Sequence, residues 1–206
     1  MYALVEDNSI TKIFPGPKGF EHNGNQYAPD IFYKWSKAEK EAIGLYEVTT
    51  DSTNYKDEKW YINTNESYTF SNGKVTRSWG TATAKAHADT LWTEQDKTDD
   101  KIPEGKDVGD VAVEGLKTIL IRTLKAQAAG ELKNTDWYIV RKADAGTAVP
   151  SSITTHRAAV RTKCAEMETA ITNAADTPAL ETLYTYTEQE DGSVTRPLGE
   201  LPTLEG

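Results

Sequence analysis

Two stretches in the second half of the chain carry apolar side chains at intervals of three and four, and this spacing limits what the chain can build. Val113, Leu116, Leu120 and Leu124, with Ile119 beside them, predict a helix over about 110–131, with Gly130 at its frayed end. Ile153, Val160, Cys164, Met167 and Ile171, with Arg157 completing the rhythm, predict a second helix from Ser151 or Ser152 to about Ala174. Steps of three and four place residues on one helical face. Each stripe is narrow, the width that one partner helix covers. Two long antiparallel helices are therefore expected. Between them, Asp136–Val140 reads as a short strand and Ala145–Pro150 as a loop, while Pro178–Leu183 adds a helical turn or two.

The first half follows a different pattern. Asn23-Gly24 and Asn72-Gly73 stand where tight hairpins need positive φ, and Asp7-Asn8-Ser9 suits a turn between two short strands over 1–14. Ser36-Lys-Ala-Glu39 is a capping box, with Gly44 as the left-handed stop of a helix over 37–43. Trp60–Ile62 and Ser67–Phe70 alternate in strand fashion, and Val75–Arg77 is the return strand of the second hairpin. Alanines at 82, 84, 86 and 88 with Leu91 suggest a helix near 83–92. The expected fold class is α+β. A β-rich module with one short helix occupies 1–80. A helical module follows over 81–185, with a polar loop at 93–109. Residues 186–206 form an extended tail, in which Pro197 and Pro202 hold the chain open. Leu198, Leu201 and Leu204 recur every three residues on that tail and are candidate partner-binding residues, because an extended segment has no core of its own.

Composition narrows the function classes. Only 37% of residues are hydrophobic, fewer than a single compact globule of this length normally carries, so some burial is expected to come from a partner. A homo-oligomer or a fixed seat in a larger assembly would supply it. The formal net charge of −9 removes the counterion-release drive for nucleic-acid binding. No apolar run is long enough for membrane insertion, and the opening residues lack the basic and apolar segments of a signal peptide. A single cysteine, Cys164, excludes an intrachain disulfide and fits synthesis in a reducing cytoplasm.

No pattern points to catalysis. Asp96, Thr98, Asp100 and Asp107 fall at positions 1, 3, 5 and 12 of a calcium-type loop, but Lys101 replaces the glycine needed for its sharp turn, so a solvated loop is expected. His22, His87 and His156 lack ligand spacing, and no phosphate-binding or nucleophile-elbow glycine pattern occurs. No metal or cofactor is expected. Cys164, on the apolar stripe, reads as a buried structural thiol, and Trp60, Trp79 and Trp137 read as core rather than as a sugar platform.

One ordered set of segments carries a family likeness. Leu132-Lys-Asn-Thr-Asp-Trp-Tyr-Ile-Val-Arg141, then Val149-Pro150, then His156-Arg-Ala-Ala-Val-Arg161 resembles a pattern of small tail proteins of tailed bacteriophages, the tail fibre assembly family among them. In that pattern a Thr-Asp-Trp segment precedes an Arg-x-x-x-Arg helix. Trp35–Tyr46 and Tyr68–Trp79 are similar to the short helix and middle hairpin of the same proteins. His156 and Val160 stand where Tyr and Leu are usual. The resemblance implies a non-enzymatic component of a phage tail (fibre, baseplate or adaptor), made in the host cytoplasm, residing in the virion and contacting other tail proteins. The alternative it carries is a tail fibre assembly chaperone absent from the mature particle. Asp136, Trp137, Arg157 and Arg161 are its motif residues. Arg157 and Arg161 lie one helical turn apart and are placed to pair with Asp136 or Asp144, while Trp137 is expected to anchor its segment in the core.

Overall fold

Short polar turns organise the first half. In a computed structural model, which describes residues 1–204, Asp7-Asn8, Asn23-Gly24 and Asn72-Gly73 all take positive φ, between 49° and 71°. That backbone matches the right-handed twist of the strands each turn joins. The fold is α+β, and the chain divides into two compact units, Met1–Thr83 and Ala84–Gly206.

In the first unit, β1 (Tyr2–Glu6), β2 (Ser9–Phe14), β3 (Phe20–His22) and β4 (Asn25–Tyr27) precede α1 (Ile31–Lys34) and α2 (Lys37–Ala42). Then come β5 (Leu45–Thr50), β6 (Tyr61–Ile62), β7 (Ser67–Ser71) and β8 (Lys74–Ser78), with the two-residue strand β9 (Thr83–Ala84) at the junction. Five strands form one sheet in the order β2-β1-β5-β8-β7; β5 and β8 run parallel and the other neighbours antiparallel. The edge strands β2 and β7 also touch, so the sheet curls on itself.

Alternation along β1 divides the core, because successive strand side chains point to opposite faces. Ala3 and Val5 join Val75, Ile10, Ile13, Tyr46 and Phe70 on one face. Leu4 joins Phe14, Phe20, Ile31, Phe32 and Leu45 on the other. The Phe32 ring from α1, a helix absent from the sequence reading, meets Tyr2 at 5.0 Å and Phe14 at 5.7 Å. The Ser36–Glu39 capping box forms at the start of α2. Gly44 takes φ 78°, and a Cβ there would lie 2.5 Å from the Val5 carbonyl oxygen.

The second unit contains β10 (Thr90–Leu91), α3 (Glu94–Thr98), β11 (Val111–Val113), α4 (Leu116–Lys133), α5 (Asp136–Ala145), α6 (Ser151–Asn173), α7 (Thr177–Tyr184), β12 (Thr187–Glu188) and β13 (Val194–Thr195). Helices α4 and α6 pack antiparallel: Lys117 Nζ donates to the Thr172 carbonyl at one end, and Arg157 Nη1 to the Leu132 carbonyl at the other. Leu120, Leu124 and Ala128 of α4 and Ile153, Val160, Met167 and Ile171 of α6 are buried.

Five local expectations are overturned. No helix forms near 83–92, because alanines at alternate positions have the period of extended chain. That segment instead satisfies the amides that a helix start leaves unpaired. Ala86 and His87 accept from the Leu116 and Lys117 amides, and Asp89 accepts from the Gly115 amide and the Thr118 hydroxyl. A Cβ at Gly115 would collide with the Ala88 carbonyl, so α4 starts after that glycine and Val113 falls on β11. Gly130 lies inside α4 rather than at its end. Residues 136–140 form the first half of α5, since an isolated run without a neighbouring strand leaves its backbone groups unpaired and a helix pairs them locally. The tail folds back instead of remaining extended. The β12–β13 hairpin returns the chain to α7, where the Leu198 amide donates to the Leu183 carbonyl. Of the predicted tail, Glu205 and Gly206 lie outside the described residues.

Candidate functional site

Two of the motif residues, Asp136 and Arg157, meet where α4 ends and α5 begins, against α6. Helix α4 finishes with carbonyls that have no partner in their own helix. Arg157, 8% exposed on α6, supplies the missing donor. Its Nη1 lies 2.8 Å from the Leu132 carbonyl, 2.7 Å from Thr135 Oγ1 and 2.8 Å from Asp136 Oδ1. The Thr135 hydroxyl, fully buried, itself donates to the Leu132 carbonyl at 2.9 Å. A guanidinium at the negative end of one helix dipole, with a carboxylate in the first turn of the next, suits both dipoles. Arg157 thus ties the end of α4 and the start of α5 to α6. Thr135 had no role in the sequence reading; its place in the Thr-Asp-Trp segment was the available signal.

Arg161 does not share this role. It is exposed, its guanidinium donates to the Arg157 carbonyl at 3.5 Å, and it pairs with neither Asp136 nor Asp144. It lines a concavity of about 270 Å3 between α4 and α6 with Ala128, Leu132 and Cys164. Cys164 is only half-buried; burial, with help from the Glu168 carboxylate, pushes its thiol above the usual range, which disfavours a reactive thiolate.

Trp137 corrects the expectation of a core anchor: it is 51% exposed. Asp136 is tied to α6, so the next residue, about 100° further round the helix, turns outward. The Trp137 ring lies against Tyr138, centroids 3.9 Å apart, and the Arg141 guanidinium sits 4.6 Å from the Trp137 ring. Ile139 and Val140 are exposed on the same short helix. The motif therefore has two sides, an Asp136–Arg157 clamp facing inward and an aromatic and aliphatic surface facing outward.

The tail leucines separate as well. Leu198 is 3% exposed and packed within its own unit, so it is not available to a partner. Arg196 reinforces this closure, with its guanidinium 5.3 Å from the Tyr184 ring and 5.2 Å from the Tyr186 ring. Leu201 is half-buried and Leu204 exposed.

The remaining candidates do not assemble a reaction centre. Asp96 is the partner of Thr93 in the capping box of α3, and no group of three metal-ligating side chains occurs among the described residues. His22 Nδ1 lies 3.1 Å from Glu6 Oε1, and its Nε2 lies 3.1 Å from Asn23 Nδ2. The pair borders a concavity of about 740 Å3 with Ser9 and Thr11. The second ring nitrogen thus faces an amide rather than a hydroxyl nucleophile. Buried His156 leaves Nε2 without a hydrogen-bond partner. Trp60 is buried, while Trp79 is half-buried against Tyr55, ring centroids 4.7 Å apart. No protein-family model, no curated protein and no solved structure matches the chain.

Proposed function

We propose that this protein is a non-enzymatic component of a bacteriophage tail, a fibre, baseplate or adaptor subunit that acts by binding neighbouring tail proteins. The resemblance of residues 132–161 to small phage tail proteins supplies the context. The observation that carries the mode of action is the two-sided motif. Its Asp136 side is consumed by the fold, while Trp137, Ile139 and Val140 stay exposed on one ten-residue helix. An exposed indole flanked by aliphatics is unfavourable in water, whereas interface centres are enriched in tryptophan, tyrosine and arginine, and all three types (Trp137, Tyr138 and Arg141) lie on this helix.

A second reading is a tail fibre assembly chaperone. The observation that favours it is the C-terminal segment, which closes on its own unit through Leu198 and needs no permanent seat in a particle. Mass spectrometry of density-gradient-purified particles separates the two. Stoichiometric recovery is the outcome expected of a virion subunit; presence in infected lysate with none in particles assigns the chaperone role. The Trp137→Ala variant is expected to lose partner binding in either case while keeping its melting temperature, and normal binding by that variant would remove α5 from the contact surface.

A further inference from the structure

The exposed face of α5 carries basic side chains that no acid neutralises among the described residues. Trp137, Val140 and Arg141 stand at positions i, i+3 and i+4, hence on one face, with Val140 64% exposed. Arg141 lies over the Trp137 and Tyr138 rings at 4.6 and 5.4 Å, has no carboxylate within ion-pair distance among the described residues, and keeps a buried Nε without a partner. Lys133, the last residue of α4, and Lys142, next to Arg141 on α5, likewise have no carboxylate partner among the described residues. Elsewhere on α4 and α6, Arg122, Lys125, Arg157 and Lys163 are each paired with an acid, at 2.6 to 3.7 Å, while Lys117 and Arg161 donate to backbone carbonyls.

The surplus is local. Residues 116–173 hold nine lysines and arginines against five acidic residues, within a chain of net charge −9. Asp136 is neutralised by Arg157, which leaves Asp144 as the one acid of α5 not so paired. From these observations we propose that the α5 face docks an acidic segment of a partner protein, with apolar anchors seated on Trp137 and Val140 and carboxylates meeting Arg141, Lys142 and Lys133. This deepens the contact-surface reading above and rests on it. The acidity of the remaining chain does not forbid such a partner, because charges more than about 8 Å away are largely screened at physiological ionic strength. A nucleic acid is disfavoured by the aliphatic half of the face, because a phosphate backbone offers no apolar anchor to Ile139 and Val140.

The test uses the full-length protein and fluorescence anisotropy with three labelled probes. One is a fourteen-residue helical peptide with Leu at i, i+3, i+4 and i+7 and Glu elsewhere, one its Glu-to-Lys counterpart, and one a single-stranded DNA of similar length. The Glu peptide is expected to bind and to weaken with added salt. In the R141E/K142E variant, binding of the Glu peptide is expected to fall by about tenfold, the effect of two reversed rim charges, and the Lys peptide is expected to bind in its place. W137A should weaken whichever peptide binds, with an unchanged circular dichroism spectrum. The proposal is overturned by absence of Glu-peptide binding, by binding indifferent to R141E/K142E, or by preference for DNA. Self-association in light scattering that R141E/K142E abolishes would also overturn it, assigning the face to a second copy. None of these outcomes alters recovery from purified particles, so the tail reading stands or falls separately.

Discussion

Replacing Arg157 by methionine keeps most of the side-chain volume and removes the charge and every donor. Three contacts disappear, to the Leu132 carbonyl, Thr135 Oγ1 and Asp136 Oδ1. They do not contribute equally. The Leu132 carbonyl still accepts from the Thr135 amide and hydroxyl, so it is not orphaned. The Asp136 side chain is 56% exposed, and water replaces the guanidinium there at small cost. The Thr135 hydroxyl is fully buried and loses a charged donor. A hydrogen bond to a charged group is worth about 1.5–3 kcal/mol when buried, and the exposed pair adds at most about 1 kcal/mol. Arg157→Met is therefore expected to cost about 2–4 kcal/mol in urea denaturation followed at 222 nm. That is below the full penalty for breaking a buried ion pair, because Asp136 is not left stranded. Arg161→Met, one turn away on an exposed position, is expected to change stability by less than about 0.5 kcal/mol. A cost below about 0.5 kcal/mol for Arg157→Met, or equal costs for the two variants, would refute the clamp.

Leu198→Ala is expected to cost about 2–5 kcal/mol, and removal of residues 186–206 is expected to lower the melting temperature; an unchanged melt for both would place the tail outside the core. His156→Leu removes a buried nitrogen that has no partner and is expected to be neutral or to stabilise by up to about 1 kcal/mol, whereas a loss beyond about 1 kcal/mol in the same denaturation assay would reveal a hidden partner. The hydrogen bond from the Tyr68 hydroxyl, at 2.5 Å, and then Arg77 hold the Glu66 carboxyl below its usual range; Arg77 Nε is 2.8 Å away but off the N–H direction, an ion pair without an aligned hydrogen bond. This stabilisation is present above the ordinary carboxylate pKa and fades as pH falls through the lowered one, and carbon-13 NMR titration should show Glu66 moving back up in Tyr68→Phe, with no movement refuting the assignment.

Local chemistry accounts for what was legible. Asn-Gly turns and the Ser36–Glu39 box work through atoms within a few residues of one another, so they form wherever the chain carries them. The stripes of α4 and α6 were readable for a related reason: steps of three and four define a face regardless of what covers it. The pairing of Arg157 with Asp136 lay within the sequence as one of two alternatives, because both arginines share a helical face and only position relative to the end of α4 distinguishes them.

Segments without a periodicity of their own were decided by distant partners. Residues 136–140 have the composition of a strand, yet with no strand alongside they become a helix, and that change turns Trp137 from the core to the surface. The alanine-rich stretch before α4 stays extended because it closes the helix start through Asp89 and because Gly115 needs the Ala88 backbone close by. Leu198, Leu201 and Leu204 are equivalent in sequence spacing, but only Leu198 reaches the end of α7 and becomes buried. By itself the sequence determined the α+β class, the tight turns and the apolar faces of the long helices, all set by interactions between near neighbours. The tertiary structure alone decided which motif residues turn inward and which remain exposed, because burial depends on what the rest of the chain brings alongside.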